Sequence, residues 1–121
     1  RQMEQAAAEP EYLERFLVRD RGRQQLVISS DIMYLRADDD YVEIQTTTKC
    51  LLITGSLSKL TETLHPANFQ RVSRSLVVNL QHIESLSPHE RQLLIRFKDG
   101  TEVISSRRGA SALRSALSLR I

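Results

Sequence analysis

The chain has 121 residues, enough for one hydrophobic core but too few for two ordinary domains. Its apolar fraction of 40% and charged fraction of 26% are close to globular averages, so most of the chain is expected to fold. Apolar runs such as Phe16 to Val18 are far shorter than the roughly 20 residues of a membrane span. We therefore expect no membrane contact from this segment.

The net charge of +2 conceals an uneven distribution along the chain. Residues 1–67 contain 8 Lys and Arg against 11 Asp and Glu, a balance of −3. Residues 68–121 contain 9 against 4, a balance of +5. A basic half of a chain can direct one face of a protein toward a polyanion. An asymmetry of this size does not by itself show that the partner is a polyanion.

Residues 1–14, RQMEQAAAEPEYLE, are rich in Ala, Glu and Gln, and Pro10 interrupts any helix that begins earlier. We interpret them as an interdomain linker or a short helix, with the folded domain at residues 15–121. From Phe16 onward the pattern has period two. The runs FLVRD and QQLVI, separated by the turn RGR, predict a β-hairpin.

Three further β-rich runs follow, at residues 31–37, 41–47 and 49–54. The third contains the single cysteine, Cys50, which excludes an internal disulfide and is expected to be a small buried hydrophobic residue. Ser56 is a suitable N-cap for a helix that carries leucines at positions 57, 60 and 64 on one face. We expect Pro66 to end this helix.

The second half of the chain continues with short strands, predicted at residues 71–79, 83–86, 93–97 and 102–105. The pair Asp99-Gly100 between the last two is a strong hairpin signal. A final helix is predicted from Arg108 to Leu119, with Ala110, Leu113 and Leu117 on its buried face. Many short strands with two short helices indicate a mainly β domain.

The chain lacks the motifs of common catalytic sites. It contains no G-x-S-x-G elbow, no H-E-x-x-H pair and no Gly-rich phosphate loop, and it has only four glycines. The three histidines, at positions 65, 82 and 89, are explained better as surface residues than as ligands. We therefore expect no enzyme, no metal site and no cofactor.

Residues 69–79, FQRVSRSLVVN, with the following QHIESL, resemble the signature of the LytTR family of DNA-binding domains. That signature is an aromatic residue, an Arg, an Arg-Ser pair, a β-branched pair and an Asn, followed by an Ile. Other landmarks of the family occur in the same order: Asp31-Ile32 with Tyr34-Leu35 and Tyr41-Val42, Ser56-Leu57 with Leu60 and Leu64, Asp99-Gly100, and Ser106-Arg107-Arg108. The resemblance covers about residues 15–119.

The resemblance implies an elongated stack of small antiparallel sheets with two short helices. It also implies sequence-specific binding of double-stranded promoter DNA through loops that enter successive major grooves. Family members are cytoplasmic output domains of bacterial transcriptional regulators, commonly response regulators of two-component systems. The resemblance therefore predicts an upstream receiver or sensor domain and a second copy on a tandem DNA repeat.

Arg74 is the strongest candidate for a DNA contact, because its guanidinium suits guanine O6 and N7 or a phosphate and it lies in the segment that resembles the groove-entering loop. Arg71 is expected to pair with a phosphate or with an internal carboxylate. Ser73 replaces a His that is common in the family, which leaves open whether the same contact exists.

Arg107 and Arg108 would occupy the first turn of the last helix if Ser106 caps it. Cations oppose the helix dipole there, and their position makes better sense if a phosphate binds at that end. Arg108 aligns best with the groove contact of the family.

Tyr41 follows the run Asp38-Asp39-Asp40 in the third loop that the family uses for DNA. Three carboxylates should repel phosphates, although one Asp could accept a hydrogen bond from cytosine N4. Asn79, also a family landmark, is expected to bond the backbone. The alternative function is a protein-interaction β-domain without DNA binding, whereas the six scattered Tyr and Phe residues do not form an RNA-stacking platform.

Overall fold

The computed structural model describes residues 11–118. Its ten strands are β1 (Arg15–Asp20), β2 (Arg23–Ile28), β3 (Ile32–Asp38), β4 (Tyr41–Thr46), β5 (Cys50–Thr54), β6 (Phe69–Ser73), β7 (Leu76–Asn79), β8 (Ile83–His89), β9 (Gln92–Phe97) and β10 (Glu102–Ile104). The two helices are α1 (Leu57–Glu62) and α2 (Arg107–Leu117). The predicted mainly β fold with two short helices is confirmed.

All the strands pair antiparallel and form three small sheets. The hairpin β1–β2 is one sheet, β5-β4-β3-β7-β6 is a central five-stranded sheet, and β10-β9-β8 is a three-stranded sheet. Residues alternate between the two faces of a strand. Leu35 and Val77, which are partners across β3 and β7, face one core, whereas Tyr34 and Val78, the next pair along, face the other.

The two cores lie on opposite sides of the central sheet. The first also contains Val18 and Val27 of the β1–β2 hairpin and Leu57 of α1. The second also contains Phe97 of β9 and Leu113 of α2. The central sheet is therefore the middle layer of a stack, and α2 is fixed to the side that carries the three-stranded sheet.

The prediction of a single strand at residues 71–79 is wrong. The segment is a hairpin, because β6 ends at Ser73 and β7 begins at Leu76. Residues 74 and 75 contain no Gly, Pro, Asn or Asp, and Ser75 is only a weak turn signal, so the period-two pattern concealed the turn. We call residues 73–76 the Arg74 turn.

The helices differ from the prediction at their ends. Ser56 caps α1 as predicted, accepting a hydrogen bond from the Lys59 amide. However, α1 ends at Glu62, before Pro66, and Thr63 is its C-cap residue. Helix α2 begins at Arg107 and ends at Leu117, and Leu117 is 42% exposed rather than buried.

Cys50 is exposed, so the prediction that it is buried is wrong. It begins the edge strand β5, where Leu51 faces the core and Cys50 points away from it. The Sγ atom of Cys50 lies 3.4 Å from Oε2 of Glu43 on the neighbouring strand. Partial desolvation, together with the hydrogen bond to Glu43 and its negative charge, raises the pKa of the Cys50 thiol to about 11.

Residues 11–14 of the predicted linker contact the domain. The amide of Leu13 donates to the carbonyl of Thr63 at 2.8 Å, and the carbonyl of Glu14 accepts from the amide of Ser29 at 2.8 Å. The remainder of the predicted linker, residues 1–10, and Leu119, the predicted last residue of the final helix, lie outside the described residues. Neither α1 nor α2 is long and apolar enough to cross a membrane.

Candidate nucleic-acid interface

The N-terminus of α2 is fastened to β6 at Val72. Val72 is the extra residue of a β-bulge, since Arg71 pairs with Val77 and Ser73 pairs with Leu76. A bulged residue is left out of the ladder, and here the carbonyl of Val72 accepts the Ser106 amide at 2.8 Å and the Ser106 hydroxyl at 3.2 Å. The same hydroxyl caps α2, as predicted. The beginning of α2 is thereby held beside the Arg74 turn.

A groove of about 600 Å³ runs between the Arg74 turn and the first turns of α2. Its lining residues are Gln70, Arg71, Ser73, Arg74, Ser106, Arg108, Gly109 and Ala112. Four of the six residues predicted to contact DNA are among them. The structure therefore brings together Arg71, Ser73, Arg74 and Arg108, which come from two separate elements of the fold.

Arg74 and Arg108 are both exposed. Within residues 11–118 the ion pairs are Arg36 with Glu43 and Arg96 with Glu102, so neither groove arginine is neutralised by a carboxylate of this region. Two guanidinium groups at the rim of one groove, neither of them paired with a side chain of residues 11–118, favour an anionic ligand.

Arg71 is engaged differently. Its Nε donates to the Ser73 carbonyl at 3.0 Å, its Nη1 to the Ser58 hydroxyl at 3.3 Å, and its Nη2 to the Arg74 carbonyl. The predicted internal partner was a carboxylate, but the partners within the described residues are two carbonyls and a hydroxyl. Ser73 accepts the Ser75 amide with its hydroxyl at 3.3 Å, so it also participates in the turn.

Arg107 points away from this groove, although it is the neighbour of Arg108. It lies with Glu90, Arg91 and Gln92 at the turn between β8 and β9. Successive residues of a helix are about 100° apart around its axis, which accounts for the separation. The two arginines therefore occupy different surfaces and are expected to make different contacts.

Tyr41 is also outside the groove. The residue is 47% exposed and lines a hollow with Leu17 of β1 and Leu52 of β5. The acidic turn that precedes it is closer to the groove, because the amide of Ala37 donates to the carbonyl of Ser75 at 2.8 Å. The three exposed carboxylates at positions 38–40 thus lie at the same end of the sheet as the Arg74 turn.

Asn79 is fully buried, and its role is structural, as predicted. Its Nδ2 donates to the Ile32 carbonyl at 2.9 Å, and its Oδ1 accepts the Gln81 amide at 3.0 Å. The first bond fixes the end of β7 to the beginning of β3, and the second caps the short turn that follows β7. Asn79 therefore supports the central sheet and has no donor or acceptor directed at a ligand.

Sequence reasoning did not identify Gly109 and Ser58. A glycine inside a helix costs about 1 kcal/mol relative to Ala, so the Gly of RRGAS was a signal for close packing. Ser58 carries no such signal, because an exposed serine in a helix has no pattern that connects it to Arg71.

Comparison with known families identifies the domain. The family model described as the LytTr DNA-binding domain matches residues 22–118. The chain belongs to this family. The match covers both sides of the groove, the Arg74 turn and α2, so the arginine groove is part of the LytTR domain itself.

Related proteins agree with this assignment. The LytTR domain is 29% identical over 93 residues to the "Sensory transduction protein LytT" of Bacillus subtilis and 31% identical over 93 residues to that of Bacillus anthracis. In each case 76% of this chain is aligned, and it spans 39% and 38% of the length of those relatives. A solved LytTr DNA-binding domain of a putative methyl-accepting/DNA response regulator from Bacillus cereus has a TM-score of 0.81 and 25% identity. The alignment covers 88% of this chain and 99% of that structure.

Proposed function

We propose that this LytTR domain binds double-stranded promoter DNA sequence-specifically, as the output domain of a bacterial transcriptional regulator in a two-component system. The observation that carries the proposal is the convergence of Arg74 and Arg108 on one groove. Membership of the family and the similarity to sensory transduction proteins and a response-regulator domain support it.

Arg74 is the proposed base reader. It stands at the tip of a hairpin turn, and its guanidinium can form two parallel hydrogen bonds with guanine O6 and N7 in the major groove. Arg108 projects from the first turn of α2, and the two elements are joined through Ser106 and Val72. This fixed spacing means that the backbone at both arginines is in place before DNA binds, so that only the two side chains must be ordered, which limits the entropic cost of binding.

The other predicted residues are assigned supporting contacts. Arg107, with its guanidinium near the β8–β9 turn, and the amide groups in the first turn of α2 would bind backbone phosphate. Ser73 would offer its hydroxyl at the groove rim. Tyr41, on the far side of the acidic turn, would contact DNA only where the duplex extends past that turn.

The longer regulator is part of the proposal. This chain spans about two fifths of the length of its LytT relatives. We propose that a receiver or sensor domain precedes it, that it acts in the cytoplasm, and that two copies bind a tandem repeat with their loops in successive major grooves. The domain is proposed to be non-enzymatic, its output being occupancy of the promoter.

A mobility shift tests the proposal. A duplex is selected from a random pool with the 121-residue chain, and its binding is measured at several salt concentrations against excess scrambled duplex. Sequence-specific binding predicts retention of the selected duplex and a log–log salt slope of about −0.9 per neutralised phosphate. Failure to retain any duplex would contradict DNA binding.

That failure would favour the alternative of a protein-interaction β-domain. One observation supports the alternative: Leu17 and Leu26, partners across the β1–β2 hairpin, are 61% and 51% exposed on its outer face. Exposed apolar pairs of this kind occur at protein interfaces. This face is separate from the arginine groove.

A further inference from the structure

The Arg74 turn lacks the residue conformations that usually close a two-residue hairpin. The other three such turns each contain a residue with positive φ: Arg21 at 54°, Asp39 at 59° and Glu90 at 59°. Such residues match the twist of a tight turn to that of the strands. Arg74 and Ser75 both have negative φ, so this turn needs stabilisation from outside its two central residues.

Arg71 supplies that stabilisation. Its guanidinium donates to the carbonyl of Ser73, the last residue of β6, and to the carbonyl of Arg74, the first central residue of the turn. A guanidinium has five N–H donors in one plane, and three of them are used in bonds to the described part of the chain. The side chain therefore holds the turn that carries the proposed base reader.

Ser58 holds the same guanidinium through a different nitrogen atom, Nη1. It lies in the first turn of α1, and its hydroxyl accepts from Nη1 of Arg71 at 3.3 Å. Helix α1 is itself anchored, since Leu57 is buried in the first core and Ser56 caps the helix. A side chain held by the turn at one end and by an anchored helix at the other can set the direction of the turn.

We propose that Ser58 and Arg71 are positioning residues, which hold the Arg74 turn so that Arg74 meets its base pair in one fixed orientation. The proposal rests on the proposed DNA binding for the role of the turn. It assigns Arg71 to specificity rather than to general affinity for phosphate, and it gives α1 a part in recognition without contact with DNA.

The first experiment compares two variants with matched controls in the 121-residue chain. Ser58→Ala removes the acceptor on α1, and Arg71→Lys keeps the charge but replaces the planar guanidinium, whose three nitrogens each donate to a different acceptor, with a single ammonium nitrogen. Ser111→Ala and Arg114→Lys, at exposed positions on α2, make the same chemical changes elsewhere. Binding is measured on the duplex selected by the unaltered chain and on a scrambled duplex.

Each variant is expected to reduce the preference for the selected duplex by about 2- to 10-fold, the effect of one or two hydrogen bonds. The affinity for scrambled duplex and the salt slope should stay constant, because the charge is retained. The controls should retain full preference. The proposal is overturned if both variants keep the preference while Arg71→Ala weakens both duplexes equally and reduces the salt slope by about 0.9, which is the behaviour of a phosphate contact.

A second measurement needs no DNA. Backbone order parameters from ¹⁵N relaxation are compared for Arg74 and Ser75, with the turn at Gly22 as the internal reference. Ser58→Ala and Arg71→Lys should lower the order parameters of the Arg74 turn, leaving those of Gly22 and the thermal midpoint unchanged. Unchanged order in both variants would refute the positioning role even if DNA binding is confirmed. Lowered order in a chain that retains no duplex would refute only the proposed function.

Discussion

Gly109 of α2 lies directly against the backbone of Val72 in β6: a Cβ atom added at position 109 would lie 1.8 Å from the Val72 carbonyl oxygen. That oxygen already accepts the amide of Ser106 at 2.8 Å. Only a residue without a side chain permits this approach. Gly109 therefore sets the distance between α2 and β6, and with it the distance between Arg108 and the Arg74 turn.

The substitution Gly109→Ala should destabilise the domain by about 1–3 kcal/mol, because α2 must move away from β6 to relieve the clash. At an ordinary helical position the same change stabilises by about 1 kcal/mol. The sign of the effect is therefore diagnostic, and urea unfolding measures it. Ser111→Ala, at an exposed position of the same helix, is the control and should leave stability equal or slightly higher. A stabilised Gly109→Ala variant would mean that α2 is not packed on Val72.

Arg74→Ala should remove discrimination at one base pair of the selected duplex, costing about 1–3 kcal/mol. The guanidinium makes no hydrogen bond or ion pair within residues 11–118, so its removal should leave the thermal midpoint unchanged. Binding to duplexes that vary one position at a time measures the effect. Arg114→Ala, on the exposed surface of α2, serves as the control. Equal binding of Arg74→Ala and the unaltered chain to the selected duplex would show that Arg74 is not a reader.

The paired change Arg107→Ala and Arg108→Ala should lower affinity for all duplexes and flatten the salt slope, since both cations lie at the helix end where phosphate would bind. Removing cations from the first turn of α2 should also stabilise that helix by a few tenths of a kcal/mol, so lost binding would not reflect unfolding.

The single variants separate the two roles. Because Arg108 shares the groove with Arg74 and Arg107 does not, Arg108→Ala should also reduce the preference for the selected duplex. Arg107→Ala should reduce only general affinity. An unchanged salt slope in the double variant would show that no phosphate binds at this end of α2.

Much of the fold could be predicted from short-range patterns in the sequence. Arg21-Gly22 and Asp39-Asp40 have the residue types of hairpin turns, and period two in the flanking runs marked the strands correctly. Ser56 and Ser106 could be recognised as helix caps because serine is a favoured residue at that position. In the structure each hydroxyl accepts a hydrogen bond from the amide three residues later. These features depend on neighbouring residues only.

The parts that were missed depend on distant residues. The Arg74 turn is stabilised by Arg71 and by Ser58, which is 13 residues away from Arg71 in the chain. Which of Arg107 and Arg108 faces the groove follows from how α2 packs on β6, which is set by the contact of Gly109 with a bulged backbone. The sequence therefore predicted which arginines belong to the site. It did not predict that they line a groove, or that Arg71 holds the Arg74 turn.

The exposed thiol of Cys50 should react slowly with iodoacetamide at pH 8, because its pKa is raised to about 11 by partial desolvation and by Glu43. A raised thiol pKa reduces the thiolate fraction at a given pH, and the alkylation rate should continue to rise up to about pH 11. Glu43→Gln removes the charge that opposes ionisation, so it should shift this profile to lower pH. Mass spectrometry of the alkylated chain gives the rates, and Glu62→Gln on α1 is the control. A profile that is unchanged in Glu43→Gln would show that Glu43 does not raise the pKa and would leave desolvation, with the charge of Asp20, as its causes.

Asp39→Asn should strengthen binding to both selected and scrambled duplexes, because the acidic turn lies beside the Arg74 turn and its carboxylates repel phosphate. The gain should be about twofold, the size expected for one charge near 10 Å in water, and should shrink as salt is added. Asparagine tolerates the positive φ of 59° at this position, so the turn should be preserved. Glu84→Gln, an exposed carboxylate on β8, controls for the general loss of negative charge. If Asp39→Asn instead weakened binding to the selected duplex alone, Asp39 would be accepting a hydrogen bond from a cytosine, and the acidic turn would be a reading element rather than a repulsive border.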